Sequence, residues 1–340
     1  MATIKDVAKE AGVSVATVSR VINKSPKASK SAIDAVSIAM RKLGYRPNAN
    51  ARALVSQSTN TLGVLVGDVS DPFFGSMVKS IDGVARNNGK HILIGNGYHD
   101  ADTERDAIEL LINSRCESLV IHSKGLSNEE LIAYAKEVSG FVLINRYIPE
   151  IAEKCIALDN HKGSYLATEY LIRHGHQHIA YVCSNHQIED AEQRKAGYQE
   201  ALKAHGLHHP ESYIEYGSPD EQGGEQAMTN LLAKNLPITA VAAYNDYMAA
   251  GSLSILEENG IQAPENMSLI GFDDGLIAKY LHPKLTTIRY PIQMMAEHAA
   301  QLSLKLASKN QPAEQEKVDT DTHMFMPTLV RRLSVDKIKS

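Results

Sequence analysis

Several apolar runs of this 340-residue chain end on side chains able to hold a polyhydroxy ligand. Asp71, Phe73 and Phe74 follow LGVLVG (62–67), Asn145 and Arg146 close FVLIN (141–145), Tyr244 and Asn245 close TAVAAY (239–244), and Asp273 follows MSLIGF (267–272). Arg194 stands within a helical stretch further on. Asp, Asn and Arg donate and accept hydrogen bonds in planar pairs, which suits neighbouring hydroxyls, and an aromatic ring offers the flat apolar face on which a sugar rests. The chain has no Trp, so Phe73, Phe74 or Tyr244 must supply that face. Each residue also has a plainer reading. Asp273 and Asn245 can cap the helices that follow them, Arg146 can close the lobes by an ion pair, Phe74 can belong to the core, and Arg194 can be a surface charge.

Other chemistries find less support. His174, His176 and His178 alternate around Gly175, but at a helix end running into a strand, and His208-His209 have no carboxylate partners nearby. Cys116, Cys155 and Cys183 are odd in number and far apart, which indicates neither a disulfide framework nor a zinc site. There is no P-loop, and no strained elbow presents a Ser/His/Asp or Cys/His set. The expectation is a binding protein and not an enzyme, with no cofactor and no metal.

A second chemistry sits at the N-terminus. Thr3 to Asn23 reads TIKDVAKEAGVSVATVSRVIN, two short helical patterns meeting at Gly12-Val13. Thr3 can cap the first helix with Asp6 three residues on, and Ile4, Val7, Ala8 and Ala11 share a face. Gly12 supplies the turn. Ser14 is the N-cap candidate of the second helix, with Val18, Val21 and Ile22 inward and Val15, Ala16, Thr17 and Arg20 turned away. Short outward side chains permit close approach to a major groove, and one long bidentate donor, Arg20, matches a guanine edge. Charge agrees with this. Residues 1–60 hold ten Lys or Arg against three acids, a net of +7, which leaves −12 on the other 280 residues.

Stepping along the chain, a third helix is expected over about 29–43 with Ile33, Val36, Met40 and Leu43 inward. NANARALV (48–55) is rich in helix formers yet too short to be stable alone, which fits a segment that orders on binding. From Leu62 strands alternate with helical stretches: LGVLVG, HILIG (91–95), SLVIH (118–122) and FVLIN, then IAYVCS (179–184), YIEYG (213–217), TAVAAY and MSLIGF. The pattern predicts an α/β core of two doubly wound parallel-sheet lobes behind a small all-α helix-turn-helix headpiece. Ligands in such sheets sit beyond the C-terminal strand ends, here in a cleft between lobes. The domains are then 1–47 for DNA, 48–60 as the linking segment, and 61–340 for the two-lobed ligand-binding core. No apolar run is long enough to span a membrane, and charges at Lys5, Asp6, Lys9 and Glu10 argue against a signal peptide, so the cytoplasm is expected.

The stretches TIKDVA, AGVS and TVSRVIN resemble the headpiece of the lactose/galactose repressor family. The resemblance continues through Arg194 with Gly197-Tyr198, YNDYMAAG (244–251), LIGFDD (269–274), Leu285 to Ile288 and Pro327 to Arg332. It implies a homodimeric transcriptional repressor with a periplasmic-binding-protein-like core and near-palindromic operator DNA as partner. Thr3, Ser14, Val15, Ala16, Thr17, Ser19, Arg20 and Asn23 would meet DNA. Asn48, Ala51 and Arg52 would pack or contact the backbone around Leu54, which would wedge into a central base step from the minor groove. VSDPFFG (69–75), IGNGYH (94–99) and VLINR (142–146) are closest to galactose repressors, so galactose is the implied inducer. The tail after Asp336 lacks the leucine heptads of a tetramer-forming bundle.

Overall fold

A computed structural model describes residues 2–23, 25–46, 59–208, 210–308 and 324–338. The expected hinge segment, with Asn48, Ala51, Arg52 and Leu54, lies outside the described residues. The chain divides into two compact units, Met1–Thr59 and Asn60–Ser340.

Among its described residues the first unit holds three helices: α1 (Ile4–Ala11), α2 (Val15–Ile22) and α3 (Lys30–Lys42). A capping box starts α1, with the Asp6 amide donating to the Thr3 hydroxyl and the Thr3 amide donating to the Asp6 carboxylate at 2.8 Å. Gly12 ends it in the left-handed region at φ 65°. Ser14 and Ser29 cap α2 and α3. Val7, Val18 and Val36, one from each helix, are fully buried at the centre with Ala8 and Ala39. Ile33, expected inward, is 42% exposed. At 3.6 residues per turn it lies about 60° around α3 from Val36, at the edge of the apolar stripe, and Ala39 fills the inward place instead.

The second unit holds two sheets of six strands. The first lobe contains β1 (Thr61–Val66), α4 (Pro72–Asn87), β2 (His91–Asn96), α5 (Ala101–Asn113), β3 (Ser118–Ile121), α6 (Asn128–Glu137), β4 (Gly140–Ile144) and β5 (Cys155–Leu158). The second contains α7 (Asn160–Arg173), β6 (Ile179–Ser184), α8 (Glu189–Ala204), β7 (Ile214–Gly217), α9 (Glu221–Ala233), β8 (Ala240–Ala243), α10 (Asp246–Glu258), β9 (Ser268–Asp273), α11 (Leu276–Tyr280) and β10 (Thr286–Arg289). After β10 the chain returns to the first lobe as α12 (Ile292–Ser308) and β11 (Met324–Phe325), then ends in the second with β12 (Thr328–Val330). Strand orders are β11-β5-β4-β3-β1-β2 and β12-β10-β9-β8-β6-β7, so one winding is repeated. All pairings are parallel except β10 with β12.

All eight expected runs are strands, and their burial explains why: β1, β3, β4, β6, β8 and β9 are buried along nearly their whole length and mostly apolar, with polar residues only at their ends. The four strands not foreseen are two to four residues long and take the last two places at one edge of each sheet. The chain crosses between lobes three times, after β5, after β10 and after β11. α12 seals the first lobe with Met295, Ala296, Ala299 and Ala300, all fully buried, and Ser303 donates to the Gly140 carbonyl at 2.6 Å.

The C-terminal tail is built into the second lobe. Buried Ser334 donates to the Leu269 carbonyl at 2.6 Å and accepts from the Thr286 amide at 2.8 Å. His176 pairs with the Thr239 hydroxyl and the Asp336 carbonyl, each at 3.0 Å, which gives it a structural post.

α10, whose N-terminus faces the cleft, crosses α9 at Gly251, where an added Cβ would overlap the Glu221 carbonyl oxygen. Gly251→Ala should therefore push the two helices apart and destabilise the core by about 1–3 kcal/mol, read as a lowered urea midpoint; an unchanged midpoint would show that α10 can move freely there.

Candidate functional site

In the head, α2 presents its outward residues as expected: Val15, Ala16 and Arg20 are exposed, and Thr17 and Ser19 half-buried. Asn23 is exposed at the C-cap. Ser14 accepts from the Thr17 amide at 3.1 Å and its hydroxyl meets that of Thr17 at 2.9 Å, so the first turn is rigid before any partner arrives. Thr3 is likewise engaged in its capping box, though exposed. Lys42 is paired to Glu10 at 2.6 Å, while Lys5, Lys9, Lys27, Lys30, Arg41 and Arg46 are exposed.

The core's cleft opens where the strands of both sheets end. The cavity there is small, about 90 Å³, and partly open to solvent. Of the nine expected residues, Asp71, Phe73, Phe74, Asn145, Arg194, Tyr244, Asn245 and Asp273 line it. Arg146 does not. Its guanidinium donates to the Leu126 carbonyl at 2.8 Å and to Asn128 Oδ1 at 2.7 Å, bracing the loop after β3, because the side chain next to Asn145 turns the opposite way.

Backbone conformation turns several of these side chains inward. Asn145, His99 and Asp273 have φ of 61°, 57° and 108°, in the region side chains resist, at the ends of β4, β2 and β9. Such strain persists only where the surroundings hold it, and it concentrates at ligand sites. Asn145 is held by its amide donating to the Ile156 carbonyl at 2.7 Å, and Asp273 by its carbonyl accepting from Tyr290 N at 3.1 Å.

Arg194 is buried, with Nε donating to Asn160 at 2.8 Å, one terminal nitrogen to the Tyr244 carbonyl at 2.7 Å, and the other 3.5 Å from Asp273. Its plane lies 3.7 Å from the Phe272 ring centroid and 4.5 Å from that of Tyr244. The plainer surface reading of Arg194 is thus corrected: the helix carries it into the cleft floor. Burial raises the Asp273 carboxyl to about 7 despite the pull of Arg194, with Asp71 and Asp190 adding repulsion. Asp71 is also raised, first by burial, although Phe73 N donates to it at 2.8 Å. Asn245 lines the cleft as the N-cap of α10, accepting from Met248 N and donating to the Pro219 carbonyl, each at 2.8 Å. Phe74 serves both readings: it is 5% exposed and part of the core, yet its edge lines the cleft beside Phe73 and His122.

Sequence reading missed His99, His122, Lys124, His186, Asp190, Tyr247 and Tyr290, all lining the cleft. The signal was present for the three histidines. His122 ends SLVIH, His99 follows HILIG and His186 follows IAYVCS, at the strand ends that identified Asn145. Tyr290 follows β10, one of the strands not foreseen. Burial holds all three histidines below their usual range and so uncharged at neutral pH.

With this geometry in place the comparisons with known proteins are decisive. Residues 3–48 match the bacterial regulatory proteins of the lacI family, and residues 168–335 a periplasmic binding protein-like domain. The HTH-type transcriptional regulator GalR of Escherichia coli K12 is 55% identical over 98% of this chain and 96% of its own length. The chain belongs to the LacI family. It is a helix-turn-helix transcriptional regulator. The regulator GalS of Salmonella typhimurium is 52% identical over 98% of this chain and 97% of its own. The lac repressor dimer bound to operator and the anti-inducer ONPF shares the fold, with a TM-score of 0.84 at 24% identity, covering 98% of this chain and 99% of that one. Among the described residues no helix is long and apolar enough to cross a membrane, and no cluster of His, Cys, Asp or Glu could hold a metal.

The raised Asp273 carboxyl has a pH consequence. The folded protein binds this proton more tightly than the unfolded chain, so the residue draws stability down as pH climbs from the ordinary 3.8 to about 7, and no further above. Asp273→Asn should gain stability relative to the parent between pH 5 and pH 8, by about 1–3 kcal/mol at the upper end, measured by urea unfolding; an equal offset at both values would refute it.

Proposed function

We propose that this LacI-family regulator is a homodimeric, cytoplasmic repressor of galactose-utilisation genes that leaves a near-palindromic operator when galactose enters the cleft. The observation that carries this reading is one chain with both a basic head presenting Arg20 and a cleft pairing Arg194 with Asp273 beside Phe73, Phe74 and Tyr244. Carboxylate, guanidinium and amide groups suit the ring hydroxyls, the aromatics suit the ring face, and the reading calls for no catalysis. Val15, Ala16, Thr17 and Arg20 would read base edges, with Ser14, Ser19, Asn23 and Thr3 at the backbone and Leu54 of the hinge in the minor groove.

Sugar bound by both lobes would favour one lobe arrangement, and a change in operator affinity must then be matched by an equal change in sugar affinity. Titrating operator DNA with and without galactose tests both ligand and sign: operator affinity should fall with galactose, and a rise would make the sugar a co-repressor. No effect from galactose, with release by another hexose, would reassign the inducer. Arg20→Ala should remove about 1–3 kcal/mol of discrimination at one base pair of each half-site and leave galactose affinity unaltered, compared by footprinting and calorimetry; unchanged footprints would overturn the groove assignment.

A further inference from the structure

Lys124 and Asp190 form an ion pair across the cleft at 2.6 Å, with side chains only 2% and 8% exposed. Lys124 stands on the first lobe's loop after β3, and Asp190 in the first turn of α8 in the second lobe. The other oxygen of Asp190 also reaches the first lobe, accepting from Asn145 Nδ2 at 2.8 Å, and Lys124 also donates to the Asn145 carbonyl. Burial alone would raise Asp190, yet Lys124 and Arg194 keep it below the usual carboxylate range.

A buried ion pair is a poor way to stabilise a fold, since well-packed apolar residues commonly do as well or better. Its surroundings point to a ligand instead. Asn145 Oδ1, His99 Nδ1, His122 Nδ1 and the Tyr290 hydroxyl are buried with no hydrogen-bond partner, and all four residues line the same cleft. Four orphaned polar atoms gathered in one place suit a molecule bearing several hydroxyls. Charge narrows the class further. Asp71, Asp190 and Asp273 bring three carboxyl groups to the cleft, while both cations are already engaged, Lys124 by Asp190 and Arg194 by Asn160, the Tyr244 carbonyl and Asp273. A phosphate group would meet carboxylates and no free cation.

Lys124 is itself set in place. Glu104 of α5 is 1% exposed and accepts from Lys124 N at 3.0 Å, Leu126 N at 3.1 Å, Gly125 N and the Ser123 hydroxyl. This carboxylate gathers the loop into one conformation and aims Lys124 over the cleft.

We propose that Lys124 and Asp190 are an interlobe latch forming part of the sugar site and restricting it to uncharged sugars, with Glu104 as the positioning residue for Lys124. This rests on the sugar-binding reading above. Neutralising Asp190 would unlatch the lobes and at the same time release the Lys124 charge toward an anionic ligand.

The test is calorimetry of the full-length protein and its Asp190→Asn variant against galactose and galactose 1-phosphate. The parent should bind galactose and reject the phosphate. Asp190→Asn should bind galactose about tenfold more weakly or worse and gain measurable affinity for galactose 1-phosphate, a gain that lost packing alone would not produce. A parent that binds no sugar overturns the functional reading. A parent that binds galactose, with a folded variant of unaltered preference, overturns the latch alone. Should Asp190→Asn fail to fold, Lys124→Met and Glu104→Gln decide. Each should weaken galactose binding about tenfold, and Glu104→Gln should have no further effect once Lys124 is Met. Unchanged affinity in Lys124→Met, or simple additivity of the two, overturns the assignment.

Discussion

A carboxylate taken out of water needs donors on every side, and Asp190 finds its charged partner and its amide donor in the opposite lobe. That requirement ties the two sheets together at the point where their strands end. Each lobe has an apolar cluster of its own, and a third, larger cluster takes buried residues from both. The polar side chains across the cleft, shut off from water, rely on one another. Lys124, Asn145 and Asp190 complete one another only when both lobes are present, and the three chain crossings keep the lobes within reach.

The same logic organises the cleft floor. Arg194 arrives on a helix of the second lobe, is sandwiched by Phe272 and Tyr244, and is aligned by the Tyr244 carbonyl and Asn160. Asp246 then fixes the turn after β9, accepting from Gly275 N at 2.8 Å and the Thr287 hydroxyl at 2.6 Å. Burial, with Asp273 and Asp274 nearby, raises this carboxyl far above its ordinary range. The turn it holds contains both Asp273 and Asp274 at positive φ. A strained acidic pair is tolerated there because Asp274 is bound by Arg289 and Arg332, which leaves Asp273 to face the ligand space.

The head depends on a smaller device. Three valines, one per helix, make its centre, so the fold has little apolar area to rely on and leans on its capped helix ends. Those caps also freeze the first turn of α2, where Val15 and Ala16 are displayed, one turn ahead of Arg20. Rigidity there is useful to recognition, since a pre-set turn loses little entropy on meeting a groove.

Much of this was legible in the residues themselves. The capping box at Thr3 and Asp6, the turn at Gly12, the buried strands and the polar residues at their ends all follow from local chemistry: hydrogen-bonding reach over three or four residues, side-chain alternation, and the apolar runs a doubly covered sheet requires. What local chemistry could not reach was anything decided by two distant segments meeting. Arg146 and Asn145 are neighbours of similar polarity, and only the packed loop after β3 sends one away from the cleft and the other into it. Arg194 read as mid-helix and becomes a buried floor because α8 lies over the second sheet. Glu104, Lys124 and Asp190 are separated by twenty and then sixty-six residues, and their connection exists only once burial removes water and leaves each charge no partner but the next.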